Sequence, residues 1–222
     1  MEQIEFFEDK RASKYDQFVN QWIPGYQYFM QLLPKLLLDK MNQPVLIAGC
    51  GTGSEMLELV KHYPHCDLIG VDPSPEMVSQ AKDRLKTFSN VKVIEGTVNT
   101  LAKDSSFGSA TLILVLHFME DDGTKLDMLR SIADRLKSGS SFVILDITGT
   151  REELERNLDV LEMQLDPKLD PEEIKMRRNR IKDKLHVVSA DRLEALLEEA
   201  GFGDVNRFYQ NSIYMGWMAK KV

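Results

Sequence analysis

Between residues 44 and 147, short runs of β-branched and apolar residues alternate with longer segments whose apolar positions recur every third or fourth residue. The short runs predict strands over Pro44 to Ala48, Cys66 to Val71, Val91 to Glu95, Ala110 to Leu116 and Ser141 to Ile147. The longer ones predict helices over Glu55 to His62, Pro75 to Thr87 and Asp122 to Leu136, the last stopped by Gly139. This alternation is the pattern of βαβ units around a parallel sheet. Downstream, Ser189 is placed to cap a helix over Ala190 to Ala200 that ends at Gly201. The runs Asp204 to Tyr209 and Ser212 to Ala219 lie too close for a helical crossover, so they predict an antiparallel hairpin closing the sheet.

Two stretches fall outside the alternation. Residues 1–40 are aromatic with helical spacing, and residues 150–188 are charged and helical in pattern, broken at Pro167 and Pro171. The organisation expected is one α/β domain over residues 1–222. It has an N-terminal helical cap (1–40), a ligand-binding core (41–149), a helical insertion or lid (150–188) and a closing helix and hairpin (189–222).

Composition narrows the classes of function. The chain has 222 residues, 43% hydrophobic and 28% charged, the mix of an ordinary globular protein. Its formal charge of −7 disfavours a protein that coats nucleic acid. Two cysteines make no disulfide framework, and no apolar run is long enough to span a bilayer. MEQIEFFEDKR lacks the basic start and apolar centre of a signal peptide, so the expected compartment is the cytoplasm. HYPHC (62–66) brings together His62, His65 and Cys66 but has no fourth ligand at a metal-site spacing, so no metal is expected.

The chemistry is concentrated in VLIAGCGTGSEMLELV. A glycine-rich turn between a strand and a helix brings backbone close to a ligand and offers unpaired amides to its anionic end. Asp72 ends the next strand, 21 residues beyond Gly51, where a carboxylate accepts both hydroxyls of a ribose. A dinucleotide fingerprint would put its third glycine at position 54, which is Ser54, and no Gly-Lys-Ser/Thr follows to grip a triphosphate. The ligand expected is therefore an adenosyl compound without a pyrophosphate.

These motifs, in order, resemble those of class I S-adenosylmethionine-dependent methyltransferases: VLIAGCGTG, LIGVDPSPEMVSQAK, VKVIEGTVNTL, SATLILVLHFMED and LKSGSSFVILDITG, with AGFGDVNRFYQ leading into the hairpin. The resemblance implies a Rossmann-like, doubly wound seven-stranded sheet with one antiparallel strand. It implies S-adenosyl-L-methionine as cofactor, with Gly49, Cys50, Gly51, Thr52 and Gly53 beneath its methionine portion and Asp72 on the ribose. Pro73 and Met77 would flank the adenine. Thr97 and Val98 stand where the family often has an acidic residue for the adenine amino group. Leu114 and Val115 would line the sulfonium, and Tyr15 in KRASKYD would reach the cofactor carboxylate.

Methyl transfer needs alignment and exclusion of water more than a nucleophile, so the absence of a triad pattern is no obstacle. His117 and Asp146 are the candidates for removing a proton from the acceptor. The layout is also similar to the tRNA wobble-uridine carboxymethyltransferases. That resemblance implies carboxy-S-adenosyl-L-methionine as an alternative cofactor, Arg178 in EEIKMRRNRIKDK as the partner of its extra carboxylate, Tyr28 in PGYQYF as a substrate contact, and tRNA as acceptor. A small-molecule acceptor is the first expectation, with a homodimer compatible with the sequence. The rival classes are a nicotinamide oxidoreductase and a non-catalytic cofactor-binding module.

Overall fold

The structure is a computed structural model that describes residues 15–37, 43–103 and 106–222. The part of the N-terminal cap at residues 1–14, including MEQIEFFEDKR, and the part at 38–40 lie outside the described residues. The strands are β1 (Val45–Ala48), β2 (Leu68–Asp72), β3 (Val91–Glu95), β4 (Phe107–Ile113), β5 (Leu136–Ile147), β6 (Phe202–Asn211) and β7 (Tyr214–Lys221). They form one sheet in the order β3-β2-β1-β4-β5-β7-β6, in which β7 runs antiparallel to both neighbours. Eight α-helices are described: α1 (Tyr15–Trp22), α2 (Tyr26–Leu36), α3 (Ser54–His62), α4 (Pro75–Leu85), α5 (Thr124–Ala133), α6 (Arg151–Gln164), α7 (Pro171–Lys184) and α8 (Ala190–Glu199). This is the expected doubly wound, seven-stranded architecture.

The central strands β1 and β4 are buried at every position because both faces of the sheet are covered. Val45 and Ile47 of β1 join one core with Phe29, Leu33, Met56, Leu59, Val143 and Leu145. Leu46 and Ala48 point the opposite way, into a second core with Leu129, Ile132, Phe142, Ile144, Leu196 and Trp217. The chain winds outward from β1 in both directions, to β2 and β3 on one side and β4 and β5 on the other. That reversal opens a crevice at the carboxyl ends of β1 and β4, the place where open α/β sheets hold ligands.

Several boundaries differ from the sequence expectation. β4 ends at Ile113 rather than Leu116, because Leu114 turns to φ 60 and Leu116–Phe118 form a single 3-10 turn. The following helix ends at Ala133 and β5 starts at Leu136, so Gly139 does not stop a helix. Phe107 pairs with Leu136 and Ser109 with Ser141, and the β5 residues between them bulge out with Gly139 at φ 75. Pro171 begins α7, where a missing amide costs nothing, and Asp170 caps that helix. Thr150 and Glu153 form a capping box that starts α6. Ser189 caps α8 by accepting from the Arg192 amide, as expected. The aromatic WIPGYQYF stretch is mostly core, with Trp22, Tyr26 and Phe29 buried and Tyr28 exposed.

Candidate functional site

The glycine loop follows β1 directly. Gly49 has φ 69, and a Cβ there would stand 2.5 Å from Val115 Cγ2, so this position admits only glycine without displacing the opposite wall. Gly51 and Gly53 are also at positive φ, and Cys50 and Thr52 turn inward and are buried. Burial pushes the Cys50 thiol well above its ordinary range, which suits a small packing residue and not a reactive one.

Two carboxylates fix the loop from opposite sides. On one side Asp72 Oδ2 accepts from the Gly51 amide at 2.9 Å, while its Oδ1 accepts from the Ser74 amide at 2.9 Å. Burial raises the Asp72 pKa, opposed by those two amides. Each oxygen keeps lone-pair capacity for a further donor. On the other side Asp16 of α1 accepts from the Thr52 hydroxyl at 2.6 Å and the Ser54 hydroxyl at 3.1 Å and pairs with Arg84 of α4. Arg84, foremost among its short-range partners, and the two hydroxyls hold the Asp16 carboxyl below its ordinary value against the effect of burial. Asp16 and Arg84 carry no sequence motif. Only their contacts show that they seat the N-terminal helix on the loop.

A cavity of about 450 Å³ opens at the crevice, within the size range of small-molecule sites. Tyr15, Gly49, Gly51, Asp72, Pro73, Met77, Thr97, Val98, Leu114 and Val115 all line it. Burial raises the Tyr15 pKa, so the phenol stays neutral. Cys50, Thr52 and Gly53 shape the loop from behind and do not reach the cavity wall. Asn99, which the sequence offers in place of the acidic residue at the adenine amino group, lines the cavity too, and a part that sequence reasoning missed lies beyond it: Phe118, Met119 and Met128, rimmed by Glu120, Asp122 and Asp127, with His186 from the segment before α8. FMEDDG marks this wall in the sequence, but nothing in its pattern distinguishes a cavity rim from a solvated turn.

Four further candidates lie away from the cavity wall. Asp146 is 2% exposed and accepts from the amides of Val115, Leu116, His117 and Ile147 and from His117 Nδ1 at 2.7 Å. His117 is likewise buried. The pair is occupied in holding a turn, so neither is placed to take a proton from an acceptor in the cavity. Arg178 donates to Asp159 and Glu155 at 2.8 Å and to Glu162 at 2.9 Å, clasping α7 to α6. Its fork is saturated by this chain's own carboxylates and is not offered to a ligand. Tyr28 is 59% exposed on α2. Among the described residues no group of three or more His, Cys, Asp and Glu could hold a metal ion, and no helix is long and apolar enough to cross a membrane.

The fit to S-adenosylmethionine rests on these features. The Asp72 carboxylate in the cavity wall keeps acceptor capacity for a diol, the loop offers close backbone approach, and Met77, Pro73 and Val98 give apolar walls that suit a flat base. Comparison with known proteins agrees. A methyltransferase-domain family matches residues 45–139. Carboxy-S-adenosyl-L-methionine synthase of Enterobacter sp. (strain 638) is 26% identical over 217 residues, covering 92% of this chain and 86% of that protein. A SAM-dependent methyltransferase from Aquifex aeolicus superimposes with a TM-score of 0.66 at 20% identity, covering 97% of this chain and all of the other. Human N-acetylserotonin methyltransferase in complex with SAM gives 0.58 at 20% identity, covering 96% of this chain and 60% of that longer one. At such identities the two structural likenesses concern the fold. Residues 45–139 carry a methyltransferase domain, and the chain as a whole is similar to class I S-adenosylmethionine-dependent methyltransferases.

Proposed function

We propose that this chain transfers a methyl group to a small-molecule acceptor by in-line displacement, the bound S-adenosylmethionine supplying a carbon already activated by its sulfonium. The observation that carries the reading is the single cavity joining Asp72 and the glycine loop to Leu114, Val115 and the wall beyond them. In this reading Asp72 accepts the ribose hydroxyls and Gly49 and Gly51 pass beneath the methionine portion. Tyr15 closes the carboxylate end, Pro73, Met77, Thr97 and Val98 enclose the adenine, and Leu114 and Val115 border the reacting centre. The work of the protein is alignment and exclusion of water.

The rim supports a small acceptor over a polynucleotide. Glu120, Asp122 and Asp127 border the cavity, and the whole chain carries −7. A tRNA-binding enzyme would need basic residues to meet phosphates near its site, whereas Arg178, the most engaged cation of the basic helix, is consumed by three carboxylates. Incubating the protein with isotopically labelled S-adenosylmethionine and pooled small metabolites, then separately with tRNA, tests this. Label in a small molecule supports it, and label in tRNA alone overturns it.

A second reading comes from the relatives named carboxy-S-adenosyl-L-methionine synthase, which match 92% of the chain at 23–26% identity: the chain forms or uses that carboxylated cofactor. Mass spectrometry of ligand carried through purification separates the two. Plain S-adenosylmethionine or S-adenosylhomocysteine supports the first, and a cofactor bearing an additional carboxylate supports the second.

A further inference from the structure

The turn Leu114–Met119, the first part of the connection from β4 to α5, gives the cavity Leu114, Val115, Phe118 and Met119. Its backbone is not one this sequence favours locally. Leu114 sits at φ 60, in the left-handed region where a non-glycine residue persists only if its surroundings impose it.

What imposes it lies behind the turn, away from the cavity. Asp146, at the end of β5, collects the amides of Val115 (3.1 Å), Leu116 (2.7 Å) and His117 (3.2 Å), and His117 Nδ1 closes on the same carboxylate. Lys125, on α5 and fully buried, donates from Nζ to the carbonyls of Leu116 at 2.5 Å and Met119 at 2.6 Å. One buried anion therefore gathers the turn's donors while one buried cation gathers its acceptors. Buried charges are retained only where they are engaged, and here, the His117 ring aside, the engagement is with backbone, whose position they then fix.

We propose that Lys125 and Asp146 are positioning residues for cofactor binding, holding the strained Leu114–Met119 turn in the shape that walls the cavity. They act through the turn and do not touch the ligand. The proposal rests on the cavity being the S-adenosylmethionine site.

The test is titration with S-adenosylhomocysteine of the whole protein and of Lys125→Met and Asp146→Asn, well below each variant's unfolding temperature. Each substitution is expected to weaken binding about tenfold or more, and the loss from Lys125→Met is expected to shrink to about threefold or less in a Leu114→Gly background. Glycine reaches the left-handed conformation without the cost that the clamp offsets, so the turn depends less on Lys125. A residue that merely stabilises the fold would lower the unfolding temperature and leave this coupling at zero. Equal losses in both backgrounds, or folded variants that bind within about twofold of wild type, overturn the proposal. If neither single variant folds, amide exchange of residues 115–117 in the wild-type protein decides. Slower exchange with S-adenosylhomocysteine bound supports the proposal, and unchanged exchange overturns it. Wild-type protein that does not bind S-adenosylhomocysteine at all removes the cofactor reading itself, a distinct result.

Discussion

Glu55, in the first turn of α3, is 5% exposed, and its described side-chain partner is the hydroxyl of Thr111 on β4. Burial pushes its carboxyl from an ordinary 4.5 up to about 7, with the Thr111 hydrogen bond opposing the shift. The folded state thus binds a proton more tightly than the unfolded chain. Between pH 4.5 and 7 the native protein holds the extra proton, so stability declines as pH rises through that window and levels off above it. Ionising Glu55 in place at pH 8 costs about 3 kcal/mol relative to the unfolded chain, a ceiling set by the full shift. Glu55→Gln keeps the shape and the acceptor for Thr111 but cannot ionise. Its amide introduces donors into the core at a cost of about 1–3 kcal/mol, the same at every pH. Urea denaturation of both proteins from pH 5 to pH 8.5 separates the two effects. The wild-type protein should lose about 2–3 kcal/mol more than the variant across that range, less than the ceiling because Glu55 of the unfolded chain is already mostly ionised at pH 5. Curves that fall in parallel would refute the assignment of a neutral carboxyl to this site.

Other outcomes follow from the same geometry. Gly49→Ala would place a Cβ at 2.5 Å from Val115 at a backbone angle of φ 69; the substitution should abolish detectable S-adenosylhomocysteine binding in isothermal titration, even where circular dichroism shows a folded chain. Arg178→Ala should lower stability by about 1 kcal/mol through loss of the α6–α7 clasp, its partners being partly exposed. It should leave S-adenosylhomocysteine affinity unchanged, and a large loss of binding would return Arg178 to the cavity. Because burial raises the Asp72 pKa and the ribose needs the ionised form, cofactor affinity should fall on acidification from a higher pH than an ordinary aspartate would dictate, as titrations between pH 4 and 7 would show.

The parts of this molecule that were legible in the sequence are those fixed by local rules. A short continuous apolar run places β1, Ser189 and Gly201 bracket α8, and the glycine loop with Asp72 locates one end of the cavity. The losses are where tertiary contacts override local pattern. ATLILVL reads as one strand through Leu116, but Asp146, distant in sequence, draws the amides of residues 115–117 out of the sheet and ends β4 at Ile113. The same contact explains why His117 and Asp146, at the right end of the sheet for chemistry, are spent on each other and on the turn. The resemblance to the carboxymethyltransferases sets Arg178 against a ligand, but the three carboxylates of α6 that meet it depend on how the two helices pack, which the sequence does not display. Lys125 had no signal at all, since a lysine within an amphipathic helix ordinarily faces water.

The central claim is that the carboxylate of Asp72 and the loop it supports hold the adenosyl group of the methyl donor. Titration of the purified chain and of Asp72→Ala with S-adenosylhomocysteine tests it most directly. Loss of two charge-assisted hydrogen bonds to the ribose should weaken binding by about two orders of magnitude while the variant remains folded. No binding by the wild-type chain at millimolar ligand, or equal binding by the two proteins, would contradict the account.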